Sequence, residues 1–164
     1  MSTNVAYSMD SPQQATQDLP DEPRARPVPR VNIQAFCEDQ NTAAVIQKAS
    51  EDRRLAKAHV TVQMGGVEAA VAFYRDASTP NLIVIESLLD RAEMLTHLER
   101  LAEVCDSGTK GIAIGHVNDV VLYRELLRRG VSEYVVAPMT VGQMIESIWS
   151  IYDDPATGPV GQTV

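Results

Sequence analysis

Three carboxylates, an imidazole and two small residues with no functional group stand where a sheet-based site would be assembled. Glu38 and Asp39 follow the strand-like run 31–37, and Glu86 closes the aliphatic run Leu82 to Ile85. Gly115 and His116 follow Ile112 to Ile114, and Ala137 with Pro138 follows Tyr134 to Val136. Glu38, Asp39 and Glu86 could form an acidic pocket for Mg²⁺, a hard ion that takes oxygen ligands and keeps several waters. As solvated surface acids they would need no ion. His116 shares their edge of the sheet, with a plain surface-loop histidine as the alternative reading.

Other chemistries find no footing. His59, His97 and His116 are dispersed without an HxxxH pairing, and no GxSxG elbow presents a serine nucleophile, so hydrolase and zinc chemistry are set aside. Cys37 and Cys105 lie 68 positions apart with no CxxC partner. They read as small apolar core residues rather than a disulfide framework or a zinc knuckle. A net charge of −8 and few aromatics oppose a nucleic-acid groove, which needs basic surface and stacking platforms. No apolar stretch approaches the roughly 20 residues of a membrane helix, so no membrane insertion is expected. Without a secretory h-region or an Arg-rich transit segment, the expected compartment is the cytoplasm.

The elements that must position these residues follow from periodicity. Within the 164 residues, 1–30 hold five of the nine prolines with Gln, Ser and Asp, and read as a disordered tail. Residues 31–152 alternate strand-like and helix-like segments and form the folded unit, while 153–164, DDPATGPVGQTV, suit a linker. The strands are expected at 31–37, at Val60, Val62 and Met64 on an edge, at 82–85 in the centre, at 112–114 and at 134–136. Between them run helices. The first is capped by Asn41 or Thr42 and reaches about Lys57, and the second carries Val67, Ala70, Val71 and Tyr74. The third starts at Asp90 and Glu93, and the fourth is capped by Asn118 and closed by Gly130. The last is led by the Thr140 and Gln143 capping box. Regular alternation of this kind implies an α/β fold: a five-stranded parallel, doubly wound sheet with helices on both faces and ligands at the carboxyl ends of its strands. Asn32 and Gln34 alone disagree, because a first strand buried on both faces should be nearly all apolar. One face there is expected to be wet or covered by the tail.

With ED after the first strand, PNLIVIE at the third and GVSEYVVAPMT leading through the fifth, the folded unit resembles the CheY-like (flavodoxin-like) receiver domains of bacterial response regulators. The resemblance implies a phospho-accepting Asp where Glu86 stands, a hydroxyl where Gly115 stands and a Lys where Ala137 stands. A degenerate phosphorylation site results, without the cation and hydroxyl that would stabilise and report a phosphoryl group. Glu86 is then a fixed negative charge imitating the activated state, or a polar residue at a decayed site. ASTPNLIVIES and GHVNDVVLYRELLRRGVSEYVVAP more specifically resemble the N-terminal atypical receiver of the CpaE and TadZ family of Flp/Tad pilus assembly proteins. That resemblance implies a non-catalytic interaction module, dimeric and placed at a cell pole, working with other pilus assembly and secretion proteins. TGPVGQTV resembles the linker and opening of the family's ParA/MinD-like ATPase domain, although no GxxxxGK[ST] loop occurs in these residues. Receivers commonly dimerise through the fourth helix, fifth strand and fifth helix, which makes Tyr123, Arg124, Arg128, Tyr134, Met139 and Trp149 the candidate interface. The alternative is a phosphorelay receiver using Glu86 as an altered acceptor and signalling switch.

Overall fold

A computed structural model describes residues 27–153. The expected linker beyond Asp153 and the tail before Pro27 therefore lie outside the described residues. The chain runs β1 (Asn32–Cys37), α1 (Gln40–Ala49), a 3₁₀ turn (Arg53–Leu55), β2 (His59–Met64), α2 (Gly66–Tyr74) and β3 (Leu82–Glu86). It continues with α3 (Arg91–Ala102), β4 (Lys110–Gly115), α4 (Val120–Arg128), β5 (Glu133–Val136) and α5 (Val141–Asp153). The five strands pair in parallel in the order β2-β1-β3-β4-β5. This is the doubly wound sheet that alternating strand and helix patterns require, because each parallel pairing needs a crossover. Every residue of β3 is buried, as its continuous aliphatic run demands of a central strand.

The pleat divides the core. Ile33, Ala35 and Cys37 of β1, Leu82 and Val84 of β3 and Ile112 and Ile114 of β4 face α1 and α5 in one continuous cluster. Phe36, Ile83, Ile85, Ala113 and Tyr134 occupy the opposite face, beneath α2, α3 and α4. Asn32 is exposed, so the strand is wet at that position as expected, but Gln34 is not. It lies half-buried under α2, where the Tyr74 hydroxyl donates to its Oε1, so one polar pair replaces an apolar contact.

Three expectations about chain boundaries change. The first helix is capped by Asp39, whose Oδ1 accepts the Asn41 N–H at 2.7 Å, and it stops at Ala49 rather than near Lys57. Asp119, not Asn118, caps α4: its Oδ1 accepts from Val121 at 2.9 Å and Leu122 at 3.1 Å. The Leu122 amide foremost, and Arg91 after it, hold the Asp119 carboxyl below the usual carboxylate range. The support it gives α4 is thus present above that range and is lost as pH falls below it, through the lowered value. Finally, Val28, assigned to the tail by composition, is 1% exposed in the core and donates its N–H to Arg54 O at 2.7 Å. Gly130, in contrast, follows α4 at φ 102 as expected, since a left-handed residue there closes the helix at no steric cost. Among the described residues no helix is long and apolar enough to cross a membrane.

Candidate functional site: a buried acid at the carboxyl edge

Glu86 is the last residue of β3, and its alternation with Leu82 and Val84 sends its side chain to the α1 face of the sheet. There it is 0% exposed. Its Oε1 accepts the backbone N–H groups of Glu38 and Asp39, each at 2.8 Å. Its Oε2 accepts the Thr42 hydroxyl at 2.9 Å and lies 2.6 Å from His116 Nε2. A carboxylate offers two oxygens with about four lone-pair positions, and all four are used. Both amides precede the first turn of α1, where the helix dipole also favours negative charge. Glu86 therefore fastens the β1–α1 loop to the centre of the sheet.

The expected three-acid pocket does not form. Glu38 is exposed and its carboxylate turns toward the start of α2, so that a Cβ built on Gly66 would lie 2.7 Å from Glu38 Oε2. Asp39 is occupied as the α1 cap. His116 takes the place left by Glu38: ligand atoms of Asp39, Glu86 and His116 lie within 4.8 Å of one another. This donor set does not suit Mg²⁺, which wants oxygen ligands with its own waters, whereas here an imidazole stands among oxygens already bonded to internal donors. The acids also act on their neighbour Cys37, whose thiol is pushed up to about 12 by burial and then by the negative charges of Glu86 and Asp39. Cys105, expected in the core, is only half-buried.

Gly115 and Ala137 line the same edge. A Cβ at Gly115 would lie 2.8 Å from Tyr134 Cε1 and 2.9 Å from its Cζ, so the absence of a side chain is what admits the ring. Tyr134 uses that space, donating its hydroxyl to Val117 O at 2.7 Å. Ala137 is buried, and its N–H donates to Gly115 O at 2.7 Å ahead of a cis bond to Pro138. No cation reaches Glu86 from β5; the basic group beside it comes from the end of β4.

The six candidate interface residues do not share one surface. Tyr123, Arg124 and Arg128 are exposed on α4. Tyr134 and Met139 are 8% and 6% exposed and belong to the interior, a correction that follows from the room left by Gly115 and from the packing of Met139 with the α5 cluster. Trp149 is half-buried against the same cluster. Sequence reasoning missed Thr42 as a partner of Glu86, having assigned it to the helix cap. It also missed Val117, Val120 and Val121, which are exposed at the start of α4.

Comparison with known proteins bears on this arrangement. No family model and no curated protein matches the chain. Among solved structures, the pilus assembly protein CpaE of Caulobacter crescentus is 46% identical, with a TM-score of 0.75 over 77% of this chain and 97% of that one. A CpaE2 pilus assembly protein of Sinorhizobium meliloti is 42% identical, with a TM-score of 0.70 over 72% of this chain and 97% of that one. A response regulator of Thermotoga maritima, at 18% identity, covers 77% of this chain and 99% of its own with a TM-score of 0.60, and shows the receiver fold alone. With a CheY-like fold and close identity over nearly the whole length of those two structures, the chain belongs to the CpaE family of pilus assembly proteins.

Proposed function

We propose that this chain is a receiver-like interaction module in pilus assembly that works without phosphorylation. The observation that carries the reading is the saturation of Glu86: a fully buried carboxylate bonded to two amides, a hydroxyl and an imidazole has no oxygen free to attack a phosphoryl donor. Ala137 and Gly115 supply neither the cation nor the hydroxyl that phosphoryl transfer would use, and preorganised charge is the main protein contribution to that chemistry. Glu86 then serves as a structural anchor rather than as a fixed charge imitating the activated state or a polar residue at a decayed site. Incubation with Mg²⁺ and acetyl phosphate or beryllofluoride is expected to leave the protein unlabelled by mass spectrometry. A stoichiometric adduct on Glu86 overturns the reading and favours the phosphorelay alternative.

The same module is proposed to form a homodimer through the outer face of α4. Val120 and Val121 are 59% and 57% exposed there, with Tyr123 and Leu127 on the same helix and Arg124 and Arg128 beside them. Contiguous exposed apolar side chains with aromatic and Arg neighbours are the usual composition of an interface. Sedimentation at micromolar concentration is expected to give a dimer, and Val121→Glu, a substitution on an exposed position, to weaken it by about 30-fold or more. A wild-type monomer removes the dimer. Cytoplasmic placement at a cell pole, contacts with other assembly and secretion proteins, and coupling to a ParA/MinD-like ATPase domain through TGPVGQTV complete the proposal; the family resemblance of these sequences supports them.

A further inference from the structure

The two edges of the sheet differ in how they are closed. β5 is a strand of four residues that opens on the charged Glu133 and is followed closely by Pro138. β2, at the other edge, has six residues, HVTVQM, with no proline, lysine or carboxylate, and none of them is buried. Exposed edges are commonly guarded by charge, proline or a bulge, because their free backbone groups accept another strand. β2 carries no such guard.

The ladder fixes which groups are free. The His59 N–H donates to Val31 O and the Gly65 N–H to Cys37 O, each at 2.8 Å, so the odd-numbered residues of β2 bond to β1. Val60, Val62 and Met64 therefore turn their N–H and C=O groups outward, and among the described residues these groups have no partner. Their side chains share the register of Ile33, Ala35 and Cys37 on the α1 face, where Val60 and Val62 pack against the core and Met64 is left 43% exposed. Thr61 and Gln63, in register with Gln34 and Phe36, lie on the α2 face.

This strand complements itself. In an antiparallel pair, two residues that both turn their backbone groups toward the partner exchange two hydrogen bonds. With two copies of β2 opposed about Val62, Val62 faces Val62 and Val60 faces Met64, so every outward group is answered. A shift of the partner in either direction brings in Ala58, whose N–H is already given to Leu55 O, or Gly66, which starts α2. In the Val62-centred register the exposed Met64 is covered by Val60 of the second copy. Thr61 stands beside Gln63 on the other face, and no like charges are opposed along the strands.

We propose that β2 pairs with β2 of a second copy, antiparallel about Val62, and joins the two sheets into one. A single strand edge is a small contact of the transient class, with a Kd of about 0.1 mM. It lies across the sheet from α4 and does not depend on the α4 pair. Where both contacts form, association continues past the dimer; where α4 is disabled, β2 alone gives a dimer.

The full chain carrying Val121→Glu isolates this contact from α4. Sedimentation equilibrium of that protein is expected to show mainly monomer at about 10 μM and mainly dimer at about 1 mM. Met64→Lys on the same background, a change at an exposed position, is expected to weaken the pairing at least ~10-fold by setting a charge against Val60. Amide hydrogen exchange in the wild type needs no variant. It is expected to slow about fourfold at Val60, Val62 and Met64 over the same concentration range, while Thr61 and Gln63, already bonded to β1, stay constant. Fast exchange at Val60, Val62 and Met64 at every concentration would mean that no second copy pairs with the edge. Slow exchange that ignores concentration would mean that another segment of the same chain covers it. Either result overturns the proposal, as does undiminished pairing by the Met64→Lys protein.

Discussion

Replacing Glu86 by alanine is expected to cost about 3–5 kcal/mol of unfolding free energy, among the largest effects of any single substitution here. The side chain is the common acceptor for the Glu38 and Asp39 amides, the Thr42 hydroxyl and the His116 ring. Its removal strands donors from three segments at once, and each buried donor left unsatisfied costs about 1–3 kcal/mol, less where water can enter. Glu86→Gln tests the same point with little change in volume. Its NH₂ opposes two donors if it faces the amides, and if it faces the Thr42 hydroxyl and the His116 ring those groups must turn from donating to accepting, so some of the four bonds are lost or rearranged. Glu86→Asp shortens the reach by one methylene and is expected to fall between wild type and alanine. Urea titrations should show the midpoint falling while the slope is unchanged, since the same surface is exposed on unfolding. An alanine variant within about 1 kcal/mol of wild type would show that the four bonds do not anchor the loop.

Threonine at position 115 is expected to destabilise the fold by about 2–4 kcal/mol, through overpacking and the loss of one hydrogen bond. The new Cβ would sit 2.8 Å from Tyr134 Cε1, closer than carbon atoms approach, and β4 cannot retreat because Gly115 is paired with Val136. The ring would have to leave, surrendering the bond from its hydroxyl to Val117 O. Because the cost arises from one clash, Gly115→Thr and Tyr134→Ala should not add. A double-mutant cycle is expected to show coupling of at least about 1 kcal/mol in the direction of relief. Strict additivity would mean that the ring and the glycine do not constrain each other. The displaced ring would emerge beside Val117 and the start of α4, so the same variant should also alter self-association.

The order of elements was legible because the pattern that forms them is local. LIVIE is too short and too apolar for anything but a covered strand, and the Thr140 and Gln143 capping box closes as the sequence suggests, with bonds of 2.8 and 3.0 Å. Caps inside runs of equivalent residues were not legible. Asn118 and Asp119, or Asn41 and Asp39, offer the same chemistry one or two positions apart, and tertiary packing selects between them. The site was readable only as a set of strand ends. Which acid turns inward depends on rotamers and on the partners waiting there, so nothing in the one-dimensional pattern separates Glu38, which turns away, from Glu86, which is enclosed. For the same reason His116 and Thr42 were visible as residues but not as partners. Tyr134 looked like a surface aromatic because its burial depends on a missing side chain in the neighbouring strand.

The buried Val28 carries the described core past the first strand toward the amino terminus. A fragment cut at Val31 would lose a core plug and the bond to Arg54, and would be a weakened protein rather than a trimmed one. It also fixes a geography. Val28 sits beside the 3₁₀ turn, at the opposite end of the strands from Glu86, separated by about 20 Å for a six-residue strand. The chain enters the described domain there, at the underside of the sheet, on the side away from the acid clamp.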